Sequence, residues 1–209
     1  MKINKLINLF SNSVTRLSKS NLTIILLSIL CFGCNAQNEI HTLESFIKNY
    51  NQKDSLSTLK YLHENFVELF EKDTSIANKT AYSNNYAWGK VMNDRMEFEI
   101  IKVDNTIIKT MSTYYSDRDS LLNISPYKSI RTYFIKNNQI IKIIENKFSG
   151  YDEYDNPRRK KYNIFFNWLS EEYDLTITDF SFDKNGAEGL KKMLLEYLKK
   201  TTDAQPQLK

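Results

Sequence analysis

The sequence predicts an α+β domain, with N-terminal helices packed on a four-stranded antiparallel meander and helices again at the C-terminal end. Three observations carry this. Between residues 96 and 147 apolar positions recur with period 2 and are interrupted at Asp104-Asn105 and Asn137-Asn138, pairs suited to tight turns. On either side of that stretch the apolar spacing is helical. The 209 residues are 13% aromatic with only five Gly and three Pro, which argues for one packed body rather than disorder.

In order along the chain, Leu43, Phe46, Ile47 and Tyr50 define a first amphipathic helix that ends at Asn51-Gln52-Lys53-Asp54. Ser55 or Ser57 is then the expected N-cap of a second helix. Its core stripe is Leu59, Leu62, Phe66, Leu69 and Phe70, opposite Lys60, Glu64, Glu68 and Glu71. Thr80 to Met92, with Tyr82, Tyr86 and Trp88, reads either as a short third helix or as an irregular cover over the sheet. Met96, Phe98 and Ile100 next alternate with Glu97 and Glu99, and a turn at Asp104-Asn105 sets Phe98 opposite Met111 and Glu99 opposite Thr110. The clearest stretch is Arg131 to Lys147. A two-residue turn at Asn137-Asn138 pairs Ile135 with Ile140, Phe134 with Ile141, Tyr133 with Lys142 and Arg131 with Ile144, since Asn tolerates the positive φ such a turn requires. Both faces of this hairpin are partly apolar, so cover on both sides is expected. Ser149 to Lys161 reads as a solvated charged loop, against the narrower reading that Arg158 and Arg159 dock an anion. Tyr162, Phe165, Phe166 and Leu169 predict a helix, and Leu175 to Phe182 a short strand or packed turn. Asn185 with Glu188 reads as a capping box opening a last helix through Leu190, Met193, Leu194, Tyr197 and Leu198. The tail at 201–209 should fray.

Residues 1–33 are a different kind of sequence. Lys2, Lys5, Arg16 and Lys19 precede the apolar run from Leu22 to Phe32, and no acidic residue occurs before Glu39, which is the pattern of a secretory signal. The run ends in Cys31-Phe32-Gly33-Cys34, which resembles a bacterial lipobox and implies lipidation of Cys34. The rival readings are cleavage after Ala36 and an uncleaved membrane anchor. The division expected is a lipoprotein-type signal at 1–33, a tether at 34–39, and a single domain at 40–200. Localisation to the bacterial cell envelope follows, lipid-anchored on the periplasmic or surface side, with secretion to the periplasm as the alternative. The whole chain has 29 basic and 25 acidic residues, but four of the basic ones lie in the leader, so the remainder is balanced and nothing points to nucleic acid.

Chemistry is sparse in the sequence. Cys31 and Cys34 are the only cysteines, so the domain has neither a disulfide nor a thiolate metal site. His41 and His63 lack the neighbours of a metal site, the five glycines form no phosphate loop, and no cofactor is expected. Proton transfer needs a base in a water-poor cleft and a donor aimed at the developing charge. The candidate bases are Glu97 and Glu99, with Asp94, Asp117 and Asp119 behind them; Tyr114 and Tyr133 are the candidate donors. Against this, alternating Glu on an edge strand serves to keep that edge soluble. Tyr86, Trp88, Tyr114 and Tyr133 are the expected ligand-binding residues, with Arg131 and Lys142 as charged neighbours.

Ser45 to Tyr50, Ile124 to Tyr127 and Tyr133 to Ile144, with the helix–helix–meander order, resemble the NTF2-like superfamily and its SnoaL-like members over roughly residues 40–200. That resemblance implies a cystatin-like cone: a sheet curled around a pocket with helices packed across it. It implies pocket chemistry in some members and does not fix a function. The leading expectation is an envelope lipoprotein without catalytic activity that binds a small apolar molecule, a peptide or a protein partner. The alternatives are a SnoaL-like isomerase, cyclase or hydrolase with Glu97 or Glu99 as base, and a structural homodimer formed through the sheet.

Overall fold

In the computed structural model, residues 37–203 are described. The expected signal segment, lipidation at Cys34 and the end of the tail lie outside them. Helix α1 is seen over 37–51, with Leu43, Phe46, Ile47 and Tyr50 all buried, and it already includes residues 37–39 of the expected tether. Lys53 turns the chain at positive φ. Helix α2, Ser55–Lys60, is capped by Asp54, whose carboxylate accepts from the Ser57 N–H at 3.0 Å, and not by Ser55 or Ser57.

The second half of the expected second helix is strand β1, Leu62–Phe70. Leu62 and Phe66 are four residues apart, a separation that returns to the same face on a helix and on a strand alike, and both are buried from β1. Hydrogen bonding to the rest of the sheet thus overrides a local pattern that fitted two periods. Strand β2, Asp73–Ile76, folds back on β1 after Glu71 at positive φ. Of the two readings for 80–92 the helix holds: α3, Lys79–Val91, is capped by Asn78.

Strands β3 (Arg95–Asp104), β4 (Ile107–Tyr115), β5 (Tyr127–Lys136) and β6 (Gln139–Asn146) form the expected meander, with the short helix α4, Asp117–Leu121, between β4 and β5. The sheet has six strands in the order β2-β1-β6-β5-β4-β3, because β1 adds to β6 in parallel. Asn137 and Asn138 both adopt positive φ, and Ile135 faces Ile140 as predicted. A bulge then shifts the pairing by one, so that Phe134 faces Lys142, Tyr133 faces Ile143 and Arg131 faces Glu145 rather than Ile144. In the first hairpin the turn is Asn105-Thr106 and a second bulge follows Ile100, so Phe98 faces Ser112 and Glu99 faces Met111. Ser112, Ser129, Arg131, Tyr133 and Ile143 are buried on one face, whereas Ile130, Thr132, Phe134 and Ile144 on the other are half-buried. The cover expected on both faces is complete on one.

The stretch read as a charged loop belongs to helix α5, Tyr151–Tyr173. Its acids stand in the first turn, where the helix dipole favours them, and Arg159 meets Asp155 one turn back at 3.1 Å. Leu175 to Phe182 is a packed turn around a 3-10 segment, Ile177–Asp179. Helix α6, Lys184–Asp203, is capped by Asp183, which accepts from the Gly186 N–H at 3.0 Å, two residues before the expected Asn185.

The buried apolar side chains form two clusters. Phe46 of α1, Phe66 of β1, Tyr82 of α3 and Tyr133 and Ile143 of the sheet belong to the first. Trp88 and Met92 at the end of α3 join Phe165, Leu190 and Leu194 of α5 and α6 in the second. Helix α3 serves both.

Candidate functional site

Between the two clusters, against the covered face of the sheet, lies a cavity of about 220 Å³. Asp94, in the short link between α3 and β3, reaches into it. Its N–H donates to the Gly89 carbonyl at 2.7 Å. A Cβ on Gly89 would stand 3.0 Å from the Asp94 carboxylate and 3.2 Å from the Tyr50 hydroxyl, so the missing side chain lets α1 and the α3–β3 link close together there. Asp94 Oδ1 is buried and has no protein partner. Burial pushes the Asp94 carboxyl above the usual range, and the Ser116 hydroxyl, Arg118 and Lys53 offset part of that. Burial, and then the Asp94 charge, push the Tyr50 phenol up as well, so it stays protonated and able to donate.

Two arginines mark the ends of the polar wall. Burial works against the charge of Arg118, but Tyr162, Asp119 and Asp94 outweigh it and hold the guanidinium charged. Asp119 is itself held by Arg158 at 2.9 Å and by the Tyr162 hydroxyl, a buried cluster that ties α5 to α4. At the other end Arg131, on β5, lies between Glu68 of β1 and Glu145 of β6, the latter 3.4 Å from Nε, under the Tyr114 ring. Burial raises Glu68 although Arg131 pulls it down. Tyr127 donates to Glu145 at 2.7 Å. At the rim Phe182 stacks on Trp88 with ring centroids 5.0 Å apart.

Of the expected ligand-binding residues, Trp88 and Tyr114 line this cavity. Tyr133 does not: it is fully buried beneath it, its hydroxyl directed at Met96 Sδ. Tyr86 is also core, its ring against that of Tyr50. Glu97 and Glu99 are exposed on β3, an edge of the sheet, and Glu97 accepts from the Tyr115 hydroxyl with 60% of its side chain in solvent. A carboxylate so hydrated is poorly placed as a base for a closed pocket, and of the expected acidic residues Asp94 and Asp119 are the ones that line the cavity. Asp117 pairs with Lys191 at 2.7 Å, and Lys142 lies over Phe134 on the half-buried face. His41 is exposed and His63 accepts from the Asn65 N–H. Among the described residues no group of three His, Cys, Asp or Glu side chains is placed to hold a metal ion.

Tyr50, Glu68 and Arg118 escaped the sequence reading. Tyr50 sat in a core stripe, and Glu68 counted as the outer face of a helix that is a strand. For Asp94 a signal was present: an Asp directly after a helix end, with Gly five residues earlier.

No family model matches the chain, and no curated protein does. The solved structures to which it is similar include an NTF2-like protein of unknown function from Cytophaga hutchinsonii, at 13% identity over 51% of this chain and 87% of that one, TM-score 0.42. A putative polyketide cyclase from Xanthomonas campestris shows 12% identity over 55% and 93%, TM-score 0.44. A LEH-like epoxide hydrolase from M. tuberculosis shows 10% identity over 55% and 86%, TM-score 0.44. Likeness at this level carries no functional argument, which must come from the cavity.

Proposed function

We propose that the cavity binds a small molecule and that the chain acts from the bacterial envelope, anchored through a lipidated Cys34. The observation that carries the binding reading is the buried, unpartnered Oδ1 of Asp94 in a cavity walled by Tyr50, Tyr114, Tyr127 and Trp88. An acceptor left unpaired away from water is costly, and a ligand N–H or O–H placed there relieves that cost. In a thermal-shift screen, ligands that stabilise the wild type are expected to lose most of their effect on Asp94→Asn. Hits that stabilise both proteins equally would place binding elsewhere. For the anchor, Cys34→Ser is expected to leave an unprocessed precursor and to release the protein from membranes; unchanged processing would overturn it.

A second reading is favoured by the raised carboxyl of Asp94 near a phenol held in its donating form. In an isomerase, cyclase or hydrolase of the SnoaL-like kind, Asp94 would take or give the proton and Tyr50 would hydrogen-bond the developing oxyanion. Turnover that survives Asp94→Asn would rule this out.

A further inference from the structure

A second, more apolar cavity of about 530 Å³ adjoins the first. Glu68, Asn85, Glu145 and Phe182 line both, so the two share a wall rather than lying on separate faces. Beyond that wall the second cavity is bounded by Phe70 of β1, Ile76 of β2 and Ala81 of α3, with Ser75 and Asn84 beside them. The first cavity alone is smaller than the roughly 300–1,000 Å³ of ordinary ligand sites. Joined to the second it falls within that range.

Phe182 is the apolar member of that shared wall. It is 62% exposed and sits on a turn held by its neighbours. Asp183 caps α6 and accepts from the Ser181 hydroxyl at 2.9 Å as well as from the Gly186 N–H. A Cβ on Gly186 would lie 1.9 Å from the Ser181 carbonyl oxygen, so only glycine allows the helix start to close on this turn. The Trp88 ring supports Phe182 from the side of the first cavity.

We propose that the two cavities are one bipartite site for an amphiphilic molecule. Its compact polar head bonds Asp94, and its unbranched apolar tail passes Phe182 to lie against Phe70, Ile76 and Ala81. This rests on the small-molecule reading of the first cavity and adds the chemical class of the ligand. Asp94, Ser116 and Arg118 line the first cavity alone and Phe70, Ile76 and Ala81 the second alone, so a molecule with the reverse arrangement would set its polar head against the apolar side chains and its tail against the charged ones.

The test is a homologous series of straight-chain primary amides, butanamide to octanamide, measured by calorimetry on the full chain. The amide N–H supplies the donor for Asp94. Affinity is expected to rise roughly fourfold per methylene, the increment for burying each in an apolar site. Ala81→Trp, which fills the second cavity, is expected to flatten that rise; Asn84→Trp, at an exposed helix position, repeats the test if the first variant folds poorly. A flat series in the wild type, with butanamide binding still dependent on Asp94, overturns the bipartite site and leaves the small-molecule reading standing. A rise that persists in both variants overturns it too, because the tail then lies elsewhere. If no amide binds, the bipartite site is overturned, and the small-molecule reading is decided separately by the thermal-shift screen.

Discussion

Asp94 carries its carboxyl into a place where ionisation is costly, and that has a measurable sign. Its pKa in the folded chain lies above the unfolded value near 3.8, so the folded state holds more protons between the two. The group therefore contributes most favourably below the unfolded value, and the contribution is lost as pH rises through the folded one. Asp94→Asn, neutral throughout, is expected to melt a few degrees above the wild type at pH 7, with the gap closing towards pH 4. Equal melting at pH 7 would mean that water solvates the carboxylate better than the cavity implies. Improved stability with impaired binding is the usual relation at a functional site. At this scale the sequence was only partly legible. Asp94 was among five acidic candidates and Gly89 is its local signal, but its selection also depends on the approach of Tyr50 from α1, a contact that no local pattern contains. Glu97 and Glu99 drew attention by alternation, the property that sends them to solvent.

Among the elements, the hairpin of β5 and β6 was readable because its information is local. The pair Asn137-Asn138 suits two consecutive positive φ values, and both residues have them. Asn138→Val, which puts a β-branched side chain in that conformation, is expected to cost about 1–2 kcal/mol in urea denaturation. A change below a few tenths would show that the turn relaxes without penalty. What could not be read were the bulges, one extra residue in each hairpin. They decide the charge pattern of the cavity floor, since the shift in the second hairpin sets Arg131 against Glu145. Strand β1 was hidden for a related reason. Leu62 and Phe66 fit either period, and the deciding hydrogen bonds are made with β6, far along the chain. Burying Glu68 is acceptable only because Arg131 meets it, so the polar side of a supposed helix became part of the floor.

For the molecule as a whole, helix α3 belongs to both apolar clusters, through Tyr82 and Tyr86 on one side and Trp88 and Met92 on the other. The C-terminal helices are therefore not a separate appendage. Urea unfolding is expected to give one transition, the same by tryptophan fluorescence as by far-ultraviolet dichroism. Trp88 and Trp168 report the second cluster, while dichroism reports the whole chain. Two separated midpoints would show that the clusters unfold independently. The helices at both ends and the meander between them were legible from periodicity, whereas the one-sided cover of the sheet and the joining of its ends were not. The parallel pairing of β1 with β6 has a consequence in time. Leu62 finds its partner only when Ile140 is present, and closing so long a loop is slow. During synthesis β1 is available well before its neighbour, so the N-terminal third cannot complete its own sheet while the chain is still emerging. Strand β1 thus stays without its β6 neighbour until about two thirds of the 209 residues, through Asn146, have been made.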